Sequence, residues 1–115
     1  MPIKSYADRI SEIDDYAFKL KSLIPDTMTA FGQLSRAAQV SGALDHKTKE
    51  LIALAIGVSQ RCDGCIAYHS RNLVKLHASH EEVAEMLGVA IQMGGGPVVN
   101  YAADALRAFD EFAGL

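Results

Sequence analysis

The sequence predicts an all-α fold, a compact bundle of about six helices. Three observations lead there. Apolar residues recur at three- and four-residue steps early in the chain, helix caps and breakers punctuate the rest, and no stretch alternates as a half-exposed strand must. Half the residues are apolar, yet aromatics make up 7% and Trp is absent, which suits a helical core of Ala, Leu, Ile and Val. At 115 residues one domain over 1–115 is expected. A chain of that size buries about 65% of its unfolded surface and needs no staples to fold.

The first helix follows from its period. Ile3, Tyr6, Ile10, Ile13, Ala17, Leu20 and Ile24 form one stripe, with Lys4, Asp8, Glu12 and Asp15 off it. Pro25 ends this N-terminal segment, 1–25, because the residue before a proline avoids helical geometry. Asp26 or Thr27 can cap a second helix through Phe31, Leu34 and Ala38, with Gly42 as its terminator. Asp45 can cap a third, carrying Glu50 and the apolar run LIALAIGV at 51–58. A fourth helix is expected from about Asp63 to His77. Ser79 and Glu82 have capping-box spacing and open a fifth. The glycines at 94–96 break it, and Pro97 suits the first position of a sixth helix ending near Phe112.

Charge and hydropathy exclude several functions. The net charge is −3 with no run of Lys or Arg, so nucleic acid is not the expected partner. The start, MPIKSYADRI, lacks the apolar stretch of a signal peptide, and the 51–58 run is too short to span a bilayer. A cytoplasmic protein without membrane partners is the expectation. The helix at 50–59 is apolar nearly all round and needs neighbours on every side, which points to a homo-oligomer. His46, His77 and His80 fall at helix ends and read as solvated. The glycine-rich stretch before Pro97 reads as a helix break rather than an anion site.

Chemistry concentrates in RCDGCIAYH, residues 61–69, which holds both cysteines of the chain. On a helix Cys62, Cys65 and His69 share a face. Near the start of that helix, free N–H groups and the dipole favour a thiolate, and His69 can carry a proton. A redox dithiol is the leading reading, since a lone CxxC in a reducing compartment is reactive or metal-bound more often than structural. Zinc is the alternative, with Cys62, Cys65 and His69 as ligands and Glu50, His77 or His80 as a fourth. Haem attachment is excluded, because Ile66 stands where that motif needs His. Tyr68 either lines the pocket or packs in a core or interface.

With Glu50 included, an acid stands twelve residues before the first Cys, followed by CxxC and a His four beyond the second. This pattern, over roughly residues 26–112, resembles the carboxymuconolactone decarboxylase-like superfamily and its alkylhydroperoxidase D-like branch. The resemblance implies an all-helical homo-oligomer, commonly a trimer or hexamer, that reduces hydroperoxides and is regenerated by a thiol reductant or redox partner protein. It calls for no cofactor or metal. It implies that Cys65 attacks the peroxide, that Cys62 resolves, and that Glu50 and His69 relay protons. Helix physics alone favours the first cysteine of a CxxC as nucleophile, so the two arguments differ on direction. The sequence departs from the family in one place: Gly64 stands where well-studied peroxidase members carry a histidine. Lactone decarboxylation is the second reading, though nothing in it calls for a dithiol. A zinc-stabilised or redox-sensing oligomeric module without enzyme activity is the third.

Overall fold

The computed structural model describes residues 5–115, and among them there are six α-helices and no strand. They are α1 (Tyr6–Leu23), α2 (Pro25–Gln39), α3 (His46–Ser59), α4 (Asp63–Lys75), α5 (His80–Gly94) and α6 (Gly96–Ala113). Ile3 and Lys4, assigned above to the first helix, lie outside the described residues.

The core sits where α3, α4, α5 and α6 meet. Leu54 and Val58 of α3, Ile66 and Leu73 of α4, Val83 and Leu87 of α5, and Ala105 and Phe109 of α6 are buried there. Small residues on α6 let the helices approach closely. Helix α1 adds Tyr6 and Ile10 to this core, and Glu111 on α6 accepts from the Tyr6 and Ala7 amides to hold its first turn. The rest of the α1 stripe does not reach the core: Ile13 and Ala17 are half-buried, and Leu20 and Ile24 are exposed. Helix α2 buries no residue. The radius of gyration, 14.6 Å, accordingly exceeds the roughly 13 Å of a compact chain near this length, because α2 and the later turns of α1 stand off the core.

Several expected boundaries are met. Asp45 caps α3 through the Thr48 amide, and Ser79 and Glu82 form the reciprocal capping box of α5. Others need correction. Neither Asp26 nor Thr27 caps α2. Pro25 itself opens the helix directly after Ile24, since it has no N–H to satisfy and its fixed φ is already helical. Gly42 does not end α2, which stops at Gln39 when Val40 turns extended. Helix α6 begins one residue before Pro97 and runs to Ala113.

The fourth helix ends at Lys75 rather than His77, and the reason is informative. His77 takes a left-handed φ of 60° just past the helix. Its amide bonds Val74 O, and the Ala78 amide bonds Leu73 O, which together make a Schellman closure. The same closure ends α3. Arg61 has φ 56°, with Arg61 N to Val58 O at 3.1 Å and Cys62 N to Gly57 O at 2.9 Å. Glycine normally fills that position, so neither stop was visible as a breaker in the sequence.

The helix at 50–59 is buried along one side only. Glu50, Leu54, Gly57 and Val58 are enclosed, while Ile52 and Ile56 face outward at 45% and 51% exposure. The all-round apolar character is therefore not used up within one chain.

Candidate active site

The site is built at the α3–α4 junction. The Schellman closure fixes the Cys62 amide on α3, and Cys62 then serves as N-cap of α4. Its Sγ accepts the Cys65 N–H at 3.2 Å. Cys62 thus stands beside the helix rather than on its face, and the two sulfurs are joined as a disulfide. Gly57 lets α4 come this near: a Cβ there would lie 2.7 Å from the Cys65 Cβ.

Beside His69 lies a buried carboxylate. Glu50 is 2% exposed and has partners on both oxygens. His69 Nδ1 lies 2.6 Å from Oε2, and Asn72 Nδ2 donates to Oε1 at 3.2 Å. His46, one turn before Glu50, places Nε2 3.6 Å from Oε1. Burial pushes the Glu50 carboxyl up, but the bond and charge of His69, the bond from Asn72 and the charge of His46 outweigh it and hold the group below its ordinary value. An ionised carboxylate only accepts, so Nδ1–H of His69 must donate to it. Nε2 is then the nitrogen left to exchange a proton.

The cysteines open into a cavity of about 390 Å³ lined by Ile13, Phe31, Ser35, Cys62, Gly64, Cys65, Tyr68 and His69. Of the four residues singled out by sequence, Cys62, Cys65 and His69 line this cavity, and Glu50 stands behind His69. Tyr68 lines it too, and its hydroxyl bonds Asp14 on α1. Burial first, and then the Asp14 bond and charge, raise the Tyr68 phenol to about 12. Arg71 lies over its ring, 5.4 Å from the centroid. His46 is not simply solvated, because it faces Glu50, and His80 bonds Asp110 at 2.6 Å. Among the described residues, no group of three or more His, Cys, Asp or Glu has the arrangement to hold a metal ion.

Sequence reasoning missed Asn72, Ile13 and Asp14. Asn72 had a signal, lying three residues beyond His69 and so on its face of α4. Ile13 and Asp14 had none, because their approach depends on how α1 crosses α4.

The sequence profile of the carboxymuconolactone decarboxylase family matches residues 25–108. The chain belongs to that family. A carboxymuconolactone decarboxylase family protein of Legionella pneumophila has a similar crystal structure, with a TM-score of 0.92, 49% identity and coverage of 94% of this chain and 96% of that one. A Thermotoga maritima family member, for which an antioxidative role has been suggested, has a TM-score of 0.77 at 33% identity over 90% of this chain and 88% of its own. An uncharacterized Cupriavidus necator protein is 39% identical over 89% of this chain and 90% of its own length. Within the carboxymuconolactone decarboxylase family, the Cys62–Cys65 pair fits the alkylhydroperoxidase D-like branch. Helix α1 lies outside the matched segment. No helix among the described residues is long and apolar enough to cross a membrane.

Proposed function

We propose that the protein is a thiol-dependent hydroperoxide reductase. The observation that carries this reading is one cavity shared by a joined CxxC pair and a histidine hydrogen-bonded to a buried carboxylate. In the reduced protein, Nε2 of His69 takes the Cys65 proton, and Glu50 stabilises the imidazolium that results. The Cys65 thiolate attacks the terminal oxygen of a hydroperoxide. An S–O bond forms, the O–O bond breaks, and the alkoxide leaves as an alcohol with the proton from His69. The Cys62 thiol then attacks the Cys65 sulfenic sulfur, forming the disulfide and releasing water. Two electrons from an external dithiol restore the pair.

Cys65 is assigned the attack because His69 follows it by one helical turn. The Cys65 N–H on the Cys62 sulfur argues the other way, since it would favour a Cys62 thiolate. Peroxide consumption with a panel of thiol reductants tests the function, comparing the wild type with Cys65→Ser and Cys62→Ser. Loss of turnover in both, with a sulfenic acid trapped only in Cys62→Ser, supports the assignment. Undiminished consumption in Cys65→Ser overturns it.

The reading includes a homo-oligomer, a hexamer or trimer, in a reducing cytoplasm. Exposed Ile52 and Ile56 on α3, with Phe31 and Leu34 on α2, support it by leaving apolar surface open on adjoining elements. Light scattering coupled to gel filtration decides, and a monodisperse species of 12.4 kDa would refute it.

A further inference from the structure

We propose that Ile13, on α1, is a specificity-determining residue that sets the width of the entrance to the Cys62–Cys65 disulfide. It takes the place left by Gly64: a Cβ built on Gly64 would lie 3.0 Å from Ile13 Cδ1. Ile13 therefore fills the seat that a side chain between the two cysteines would occupy. It is half-buried and forms part of the wall of the cavity that holds both cysteines.

Two polar contacts hold it there. One turn before it, Arg9 Nε lies 3.3 Å from Asp63 Oδ2, at the first residue of α4. Immediately after it, Asp14 accepts from the Tyr68 hydroxyl, one turn further along α4. These two contacts pin α1 along the opening turns of α4. The Ile13 part of the wall comes from a helix outside the segment that the family profile matches, and the other lining residues lie inside it.

The inference rests on the redox reading of the pair, because it concerns the thiol that regenerates it. In that step a thiolate enters the cavity and attacks one sulfur. A new S–S bond forms to the incoming sulfur, the Cys62–Cys65 bond breaks, and the other cysteine leaves as a thiolate. The reductant's second thiolate then attacks its own bound sulfur, closing the reductant's disulfide, and the mixed S–S bond breaks to release the attacked cysteine as a thiolate. Attack needs near-linear approach to the S–S bond. A slender dithiol passes Ile13 easily, and a broad one is obstructed.

The test measures reduction of the oxidised protein by two probes, dithiothreitol and a folded thioredoxin, without any peroxide. Failure of the peroxidase reading is thereby kept apart from failure of the filter. Ile13→Ala, which removes three side-chain carbons, should raise the thioredoxin rate by at least about tenfold, since even one obstructing methylene is worth roughly 10–200-fold at a site. The dithiothreitol rate should stay within about twofold, because that probe already fits. Ile13→Phe, which narrows the entrance, should slow both probes, thioredoxin more. Should Ile13→Ala loosen α1, the Phe variant still decides. Equal acceleration of both probes in Ile13→Ala, or a Phe variant indistinguishable from wild type, overturns the proposal.

Discussion

His69 Nδ1 lies 2.6 Å from Glu50 Oε2, and Glu50 is almost fully enclosed while His69 opens to the cavity of the disulfide. The pair joins a buried charge on α3 to a titratable ring on α4, across the junction that also fixes Cys62. A carboxylate so placed orients the ring and selects its tautomer. His46 and Asn72 complete the set around Glu50, so the charge is compensated from both of its oxygens.

The first expectation concerns pH. The folded value of Glu50 is held below its ordinary 4.5. Unfolding then favours proton uptake, so the ionised Glu50 carboxylate contributes its full stability above about 4.5 and loses it as pH falls through the folded value. Glu50→Gln should flatten this part of the stability profile. Chemical denaturation of both proteins from neutral pH down to pH 3 checks it, and parallel profiles would remove Glu50 from the acid response.

Tyr68 offers a direct spectroscopic readout of how α1 sits. Its phenol should titrate near 12. Asp14→Asn should lower that value without returning it to 10.0, because burial, the larger cause, remains. Ultraviolet titration of tyrosinate, with Tyr68→Phe as the reference, measures this. An unchanged curve would mean that Asp14 does not engage the hydroxyl in solution.

Gly57→Ala should be costly for its size. The new methyl would meet the Cys65 Cβ at 2.7 Å, and the first turn of α4 would have to shift. Overpacking of this kind costs about 1–3 kcal/mol. Thermal melting should show the loss, and alkylation of the reduced cysteines should show the displaced site. A variant as stable as wild type would mean that the α3–α4 approach is soft.

Much of this architecture was legible because it is local. The capping box of Ser79 and Glu82, the Asp45 cap, and the thiol–histidine spacing all reside within a few residues of one another. What escaped was either non-glycine or tertiary. Arg61 and His77 adopt the left-handed conformation that glycine usually signals, so both Schellman closures were invisible. Pro25 read as the end of one helix but is also the start of the next. The Glu50–His69 contact came from resemblance, since spacing could place His69 relative to Cys65 but not across helices. Asn72 was within reach of spacing alone. Ile13 and Asp14 meet α4 through the crossing of α1, which no local pattern encodes.

The exchange of Gly64 for a bulkier residue should couple to Ile13. Gly64→His should destabilise the protein by pushing against Ile13, and Ile13→Ala should relieve part of that loss. Contacting residues show coupling energies of about 0.5–3 kcal/mol in a double-mutant cycle. Melting curves of the two single variants and the double variant supply the cycle. Simple additivity would mean that the side chains do not compete for one seat.

The most direct measurement is a single turnover. Fully reduced protein is mixed with one equivalent of an organic hydroperoxide, and remaining peroxide and free thiols are counted over time. Wild type should lose its two thiols for each peroxide consumed, ending in the Cys62–Cys65 disulfide. Glu50→Gln should reach the same end point more slowly, by about 10²- to 10⁴-fold, the usual worth of a positioned acid–base group. Peroxide that persists beside two free thiols in the wild type would contradict the proposed peroxidase function.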